Sequence, residues 1–294
     1  MATGFSNNEL NYARKKYYGK FHFVGKNISF FQKLVNITLA RIYYIKYSIL
    51  NIKREIYKSI DIFFFSRKSQ KLDFNFSLNL DDESIAKISK ELKTKNFTFI
   101  ENFLSEDSYQ FLLNSWPDIN HFNHIKKIIK HYNVGFKYEY DALPLEKTFK
   151  KYPQEFGLKQ FYKFLISEKF KNFYNKLLKT ENEDYFTVTI LSSMASNNSY
   201  LIPHYDGVSK DSRFKRGYNF IYFVDGYEEN LSAGGATGIY QDNEFKTPLL
   251  IPKTIKNSVL IYNTKSTNFY HGFKNINCPS NIYRKTINFL NKDL

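Results

Sequence analysis

The last third of this 294-residue chain is a succession of short β-prone runs separated by turn residues. Runs rich in Val, Ile, Thr, Tyr and Phe cover residues 185–191, 218–224, 237–241, 258–263 and 282–290. Turn-forming residues lie between them at 225–226, 234–235, 242–243 and 279–281. Short strands at this spacing are typical of a barrel or jelly roll and not of alternating β–α units. The sequence therefore predicts a β-barrel core over about residues 185–292.

A candidate metal site lies within this region. His204 and Asp206 are two residues apart, so on a strand their side chains point the same way, and His271 follows near the end of another β-prone run. Two imidazoles and one carboxylate can occupy one face of an octahedral iron and leave the opposite positions open. His-x-Asp alone is a weak signal, and the order of the three residues along the predicted strands strengthens it. The single cysteine, Cys278, excludes a cluster of thiolate ligands.

The last β-prone run carries a candidate anion-binding pair. Arg284 offers a planar fork that binds a carboxylate through two hydrogen bonds. Thr286 lies two residues further on, so its hydroxyl points to the same face of the strand. Lys285 points to the opposite face, where we expect it to be solvated. The alternative for Arg284 is an ordinary surface arginine.

Together these residues resemble the 2-oxoglutarate and Fe(II)-dependent oxygenases, and in particular the prolyl 4-hydroxylase-like branch. The resemblance covers roughly residues 96–294 and is densest from Tyr185 onward. It implies an α+β protein whose core is a double-stranded β-helix, a jelly-roll or cupin-like barrel, with supporting helices. It further implies that His204, Asp206 and His271 hold Fe(II), and that Arg284 and Thr286 bind the far carboxylate of 2-oxoglutarate. By the same resemblance, Asn219 and Thr237 are expected to lie at pocket-facing positions of neighbouring strands and to help bind the cosubstrate.

The function that the resemblance implies is a 2-oxoglutarate-dependent dioxygenase. Such an enzyme hydroxylates its substrate, here an amino acid, a protein side chain or a small metabolite, and releases succinate and CO2. Its cofactors are Fe(II), 2-oxoglutarate and O2, with ascorbate as a further candidate. Two alternatives stay open from the residues alone. One is a cupin-like metalloenzyme that does not use 2-oxoglutarate, and the other is a barrel that serves as a non-catalytic binding module.

The region before the barrel is predicted to be a helical support. Acidic residues at 81–83 begin a helix that runs to about Leu92, residues 96–101 form a strand, and Ser105 caps a second helix that ends near 116–117. Residues 156–178 form a third helix with one apolar face. The histidines in the intervening stretch lie among lysines near a predicted helix end, so we expect them to be solvated: His121, His124 and His131. This stretch, 121–150, and the basic loop 207–216 are candidate substrate-covering loops, and the basic loop would suit an anionic substrate.

The first seventy residues differ from the rest in charge. Residues 1–70 hold 13 Lys or Arg and three acids, which gives +10, whereas residues 71–294 contribute +5 to the total of +15. The chain therefore divides into a basic helical N-terminal appendage, 1–70, and an oxygenase domain, 71–294. Residues 28–52 are apolar with helical periodicity, but the basic residues within them argue against a spanning helix: Lys33, Arg41 and Lys46. The appendage is expected to pack on the barrel or on a second copy, and peripheral membrane contact is the alternative.

Cellular location and partners are less constrained by the sequence. Residues 1–10 are polar and lack the pattern of a signal peptide, and one cysteine together with a need for reduced iron favours the cytoplasm. The sequence pI of about 9.5 raises nucleic acid as a partner. However, no base-reading motif is present and the basic residues concentrate outside the predicted domain, so we do not expect nucleic-acid binding. The sequence does not indicate an oligomeric state.

Overall fold

The structure is a computed structural model that describes residues 30–68, 73–128, 136–144, 156–178, 186–197, 199–204, 217–231, 233–242, 245–266, 268–274 and 276–292. Sequence predictions for Asp206, His131 and the loop 207–216 lie outside these residues.

Helices occupy mainly the first half of the described chain: α1 (Phe30–Lys68), α2 (Asp82–Lys95), α3 (Glu106–Asn114), a 3-10 turn (Ile119–His121), α4 (Gly157–Leu165) and α5 (Glu168–Leu178). The predicted start of α2 is confirmed, because the Asp81 side chain accepts a hydrogen bond from the Ser84 amide at 2.8 Å. Asn96, with φ of 65°, caps this helix, whose last residue, Lys95, lies three residues beyond the predicted Leu92. None of the described helices combines the length and the apolar character that a membrane crossing requires.

Eleven described strands form one sheet: β1 (Phe97–Ile100), β2 (Asn123–Ile128), β3 (Phe136–Pro144), β4 (Phe186–Ala195), β5 (Tyr200–His204), β6 (Tyr218–Asp225), β7 (Gly238–Tyr240), β8 (Pro248–Leu250), β9 (Ser258–Asn263), β10 (Tyr270–Phe273) and β11 (Arg284–Lys292). Their order is β1-β9-β6-β11-β4-β3-β5-β10-β7-β8, with β2 paired to β3. Each of these pairs is antiparallel. The order places strands that are distant in sequence side by side, and β5 next to β10 is the pair that matters for the site.

The two faces of the sheet belong to different hydrophobic clusters. Along β6, Phe220 and Tyr222 pack with residues of α4 and α5, whereas Ile221 and Phe223 join Leu260 in an inner cluster. This alternation follows the two-residue period of a strand. The outer face is therefore covered by the helices, and the inner face lines the barrel.

Two of the predicted elements differ from the structure. The expected single helix over 156–178 is two helices, separated at Ile166 and Ser167. The break occurs where Ser167 caps the start of the second helix. The Ser167 carbonyl accepts a hydrogen bond from the Lys171 amide, and its hydroxyl accepts one from the Phe170 amide. The apolar face continues through the break, which explains why periodicity alone predicted one helix. Strands β2, β3 and β8 were not predicted.

The expectation of solvated histidines at 121 and 124 is wrong. The His121 side chain is only 2 % exposed, and its Nε2 lies 2.8 Å from the Asp61 carboxylate. His124 is on β2 instead of a helix end, stacks on the Tyr47 ring at 3.8 Å and lies 3.2 Å from Asp141. Because these partners are distant in sequence, local pattern does not reveal them.

Helix α1 docks on this part of the fold through a polar face. The Asn51 side chain donates to the His124 carbonyl and accepts from the His124 amide. The buried Arg54 guanidinium forms an ion pair with Asp141 at 2.5 Å and also donates to the Phe122 carbonyl. The packing of an N-terminal helix on the rest of the chain thus uses paired charges and hydrogen bonds.

Candidate active site

The two predicted histidine ligands lie side by side on the neighbouring strands β5 and β10. His204 and His271 are direct partners in the antiparallel register. Their ring centroids are 4.2 Å apart, the ring planes meet at 48°, and both side chains are buried. Two buried imidazoles at this distance can ligate one metal ion.

A glycine permits this close approach of the two strands. An added Cβ at Gly272 would lie 2.7 Å from the Leu201 carbonyl oxygen and 3.0 Å from the Pro203 backbone. These neighbours are backbone atoms that cannot turn away as a side chain can. Gly272 therefore keeps β10 close to β5 at the residue next to His271.

The third predicted ligand, Asp206, lies outside the described residues. In the part of the chain that the structure describes, no group of three His, Cys, Asp or Glu side chains could hold a metal ion. The iron triad therefore stays a prediction. The two histidines would supply two of its three ligands, and Asp206 follows two residues after His204.

A hydrogen-bonded chain leads from His271 into the barrel. The Tyr262 hydroxyl lies 3.0 Å from His271 Nε2, and it accepts a hydrogen bond from the Asn219 side-chain amide at 2.5 Å. The Tyr262 ring also packs on the His271 ring, with centroids 4.6 Å apart. Asn219 Oδ1 is buried and has no hydrogen-bond partner in the described part of the chain. Asn219 is thus linked to His271 through Tyr262, and its place in a cosubstrate pocket stays a prediction.

Arg284 provides a buried positive charge on the inner face. Its side chain donates to the Thr237 hydroxyl at 2.6 Å and more weakly to the Thr286 hydroxyl at 3.4 Å. Thr286 in turn shares a hydrogen bond of 2.6 Å with Ser193 on β4. Among the described residues no carboxylate lies within ion-pair distance of Arg284, and its Nε has no hydrogen-bond partner.

The surroundings of the Arg284 side chain favour the binding of an anion. Its guanidinium carbon lies 4.3 Å from the centre of the Phe273 ring and 5.4 Å from that of Phe223. Burial lowers the pKa of Arg284 to about 9, so the group remains charged at neutral pH. A buried cation that is held by hydroxyls and rings still has donors to give to a ligand.

A second glycine shapes the wall around this arginine. Gly235 adopts φ of +81°, and an added Cβ would lie 2.7 Å from the Ile276 side chain and 3.1 Å from Arg284 Cδ. The left-handed backbone at this turn is readily adopted by glycine. The turn can therefore lie directly against the arginine stem.

The structure brings most of the predicted residues together. Arg284, Thr286 and Thr237 form one polar cluster, while Asn219 and His271 meet at Tyr262. Strand β10 joins the two groups, since it carries both His271 and the Phe273 ring that covers Arg284. Lys285 lies on the opposite face as expected, but it is half-buried and paired with Asp225 at 3.2 Å, so the expectation of solvation is wrong.

Sequence reasoning missed three residues of the site: Tyr262, Ser193 and Phe273. Tyr262 could have been found, because it lies in a predicted strand and shares a face with the apolar Leu260. Ser193 lies beyond the predicted end of its strand, which was placed at residue 191. No signal in the sequence marks Phe273 as a neighbour of Arg284.

No protein-family model and no curated protein matches the sequence. Solved structures do match. A 2OG-Fe(II) oxygenase family oxidoreductase from Burkholderia pseudomallei aligns over 76% of this chain and 96% of its own, with a TM-score of 0.50 and 10% identity. A Pseudomonas putida prolyl-4-hydroxylase aligns over 71% of this chain and 99% of its own, with a TM-score of 0.51 and 11% identity.

The chain has the fold of the 2-oxoglutarate/Fe(II) oxygenases. The non-heme alpha ketoglutarate dependent epimerase SnoN from nogalamycin biosynthesis shares this fold as well, with a TM-score of 0.50, 8% identity and coverage of 72% of this chain and 84% of its own. The fold that the sequence resemblance implied is thereby confirmed. In this oxygenase fold, the two histidines and the arginine described above all lie on strands of the barrel.

Proposed function

We propose that this protein is an Fe(II)- and 2-oxoglutarate-dependent oxygenase that hydroxylates an amino acid, a protein side chain or a small metabolite. His204, Asp206 and His271 would hold the metal, and Arg284 would bind the far carboxylate of 2-oxoglutarate. Bound Fe(II) and 2-oxoglutarate would supply the activation of oxygen. The barrel would position the cosubstrate and exclude water around it.

The observation that carries this proposal is the buried charge of Arg284, to which no carboxylate of the described residues lies within ion-pair distance. A buried cation without a counter-ion is costly, and an incoming carboxylate offsets that cost while accepting two parallel hydrogen bonds. Phe273 and Phe223 pack against the guanidinium group, with ring centres 4.3 and 5.4 Å from its carbon. Thr286, which shares a hydrogen bond with Ser193, would add a hydroxyl near the same carboxylate.

The donor set fits Fe(II) and 2-oxoglutarate better than the two alternatives. Imidazole and carboxylate ligands suit a divalent iron that exchanges its other ligands. A cupin-like enzyme that does not use 2-oxoglutarate would have no need of Arg284 in the barrel. A binding module would have no need of two buried histidines at 4.2 Å.

The reaction is proposed as hydroxylation because one structure of the same fold is a prolyl-4-hydroxylase. SnoN, which is an alpha ketoglutarate dependent epimerase, has the same fold, so an assay should separate hydroxylated product from epimerised product. Succinate and CO2 are the expected co-products of hydroxylation.

The test is an anaerobic titration of the apoprotein with Fe(II) and 2-oxoglutarate, followed by visible absorption. A metal-to-ligand charge-transfer band that requires both ligands supports the proposal. Arg284→Ala should weaken the affinity for 2-oxoglutarate by about 100-fold, because a charge-assisted pair in a buried site is lost. Lys285→Gln is the matched control, since it removes a charge from the next residue on the opposite face.

The same titration gives a different result for each of the two alternative functions. Bound metal without a band that depends on 2-oxoglutarate would assign the site to a cupin-like enzyme. No bound metal would assign the barrel to a binding module. Asp206→Ala that retains full metal affinity would exclude Asp206 as a ligand.

A further inference from the structure

Helix α1 exposes an apolar stripe on the side that faces away from the fold. Six isoleucines on this stripe are each between 53 and 63 % exposed: Ile42, Ile45, Ile49, Ile52, Ile56 and Ile60. They recur every three or four residues, so they share one side of the helix. At about 1.5 Å per residue, the stripe extends roughly 27 Å along the helix axis.

The opposite side of the same helix is the polar face that docks on the protein. Asn51 and Arg54 bind the strand region, and Asp61 binds His121. The helix is therefore amphipathic in the inverse sense, with its polar side against the protein and its apolar side toward solvent. An exposed apolar stripe of this length marks an interaction surface.

The charges along the stripe distinguish between two kinds of partner, an anionic surface and a second copy of the helix. Arg41, Lys46 and Lys53 are exposed and flank the isoleucines. Residues 10–54 contain ten Lys or Arg and no Asp or Glu. An anionic surface complements this charge, and a basic helix with an apolar side is the pattern that lies in the plane of such a surface.

The same charges oppose pairing with a second copy of the helix. If Ile42, Ile49 and Ile56 formed the a positions of a coiled coil, Arg41 would be at g and Lys46 and Lys53 at e. In a parallel pair Arg41 would then face Lys46 of the second copy. In an antiparallel pair the e-position lysines would face one another. Both arrangements place like charges together at the edge of the seam.

We propose that α1 lies on an anionic lipid surface through the isoleucine stripe, with Arg41, Lys46 and Lys53 bound to acidic headgroups. The oxygenase-fold portion is then held beside the membrane by the polar face of α1. Contact of this kind is peripheral, and it is independent of the proposed reaction. The stripe and its flanking charges act together, since either feature alone gives weak binding.

The experiment is co-sedimentation of the full chain with sucrose-loaded vesicles of phosphatidylcholine, with and without about 30 mol % phosphatidylserine. The expected result is binding to the anionic vesicles that weakens with added salt. Arg41→Gln/Lys46→Gln/Lys53→Gln should weaken it by on the order of 100-fold at low salt, at about 1 kcal/mol per charge. Ile45→Ser/Ile49→Ser/Ile52→Ser should weaken it at least about tenfold.

Two control variants distinguish the proposed binding through α1 from nonspecific binding to vesicles. Lys87→Gln/Lys90→Gln/Lys93→Gln removes three exposed charges from α2, and Ile166→Ser removes an exposed isoleucine elsewhere. Both should bind the anionic vesicles as the parent chain does. A common urea midpoint for all variants shows that each is folded.

Three results would overturn the proposal. The first is no binding to anionic vesicles. The second is binding that the α2 triple variant reduces as much as the α1 charge variant. The third is a dimer in sedimentation velocity that the isoleucine variant dissociates, which would assign the stripe to a second copy.

Discussion

The hydroxyl of Tyr262 lies 3.0 Å from Nε2 of His271, so a tyrosine and a proposed iron ligand share a hydrogen bond in the barrel. A metal that binds this nitrogen must replace that bond. The tyrosine is held from its other side by Asn219.

Tyr262→Phe is therefore expected to raise the affinity for Fe(II) by up to about fivefold, because it removes a hydrogen bond of about 1 kcal/mol that competes with the metal. The measurement is anaerobic Fe(II) titration of both proteins, with Co(II) as a spectroscopic substitute. A fall in affinity would instead show that Tyr262 orients the His271 ring toward the metal.

Gly272→Ala should destabilise the fold by roughly 2 kcal/mol, because the new methyl group meets the Leu201 carbonyl and must push β10 from β5. Urea unfolding measures the change. Gly238→Ala is the comparison, since its added methyl group meets mainly the ends of the Ile251 and Tyr240 side chains. An equal loss of unfolding free energy in the two variants would contradict the conclusion that Gly272 is needed for the close approach of β10 to β5.

Asp141→Ala should destabilise the protein by about 3 kcal/mol, because it leaves the Arg54 guanidinium buried without its partner. The free energy of unfolding in urea gives the value. Adding Arg54→Met to Asp141→Ala removes the unmatched charge and should restore part of the stability. A double variant that is no more stable than Asp141→Ala would show that the Asp141 carboxylate stabilises the fold mainly through His124.

Stability should fall on acidification through the pH range just below 6.5, in part because of His121. Burial lowers the pKa of His121, and the hydrogen bond that its imidazole donates to the Asp61 carboxylate opposes this only in part. Between the folded pKa and about 6.5 the unfolded chain binds a proton that the folded chain does not, so the stability present above that range is lost as the pH falls. His121→Gln should flatten the pH dependence of the urea midpoint there. An unchanged slope would exclude His121 as its source.

The period-2 pattern of strands explains what the sequence could predict. Arg284 and Thr286 are two residues apart, so any strand at that position places both side chains on the same face. The resemblance to the oxygenases adds Thr237. The structure joins the three in one hydrogen-bonded cluster. The alternation of β6 between helix-covered and inner residues has the same local origin.

Long-range partners set the limit of that reasoning. The stretch around His121 and His124 was misjudged because its stabilising contacts come from Asp61, Asn51 and Asp141, up to 73 residues away. Lys285 was misjudged for the same reason, since Asp225 is 60 residues away. Tyr262 lies in a predicted strand with nothing in the sequence to mark it, and its role depends on the side-chain contact between Tyr262 of β9 and His271 of β10, two strands that are not neighbours in the sheet.

If the proposed function holds, the buried charge of Arg284, which has no counter-ion among the described residues, would make the barrel a sensor of its own cosubstrate. A dicarboxylate that offsets the desolvation of this arginine would bind the folded chain and not the unfolded one, so it would stabilise the fold by an amount that grows with the logarithm of its affinity. A thermal-denaturation screen of oxo acids of different length would then rank candidate cosubstrates before any substrate is known. The arginine would thus couple the melting temperature of the protein to the identity of the bound oxo acid.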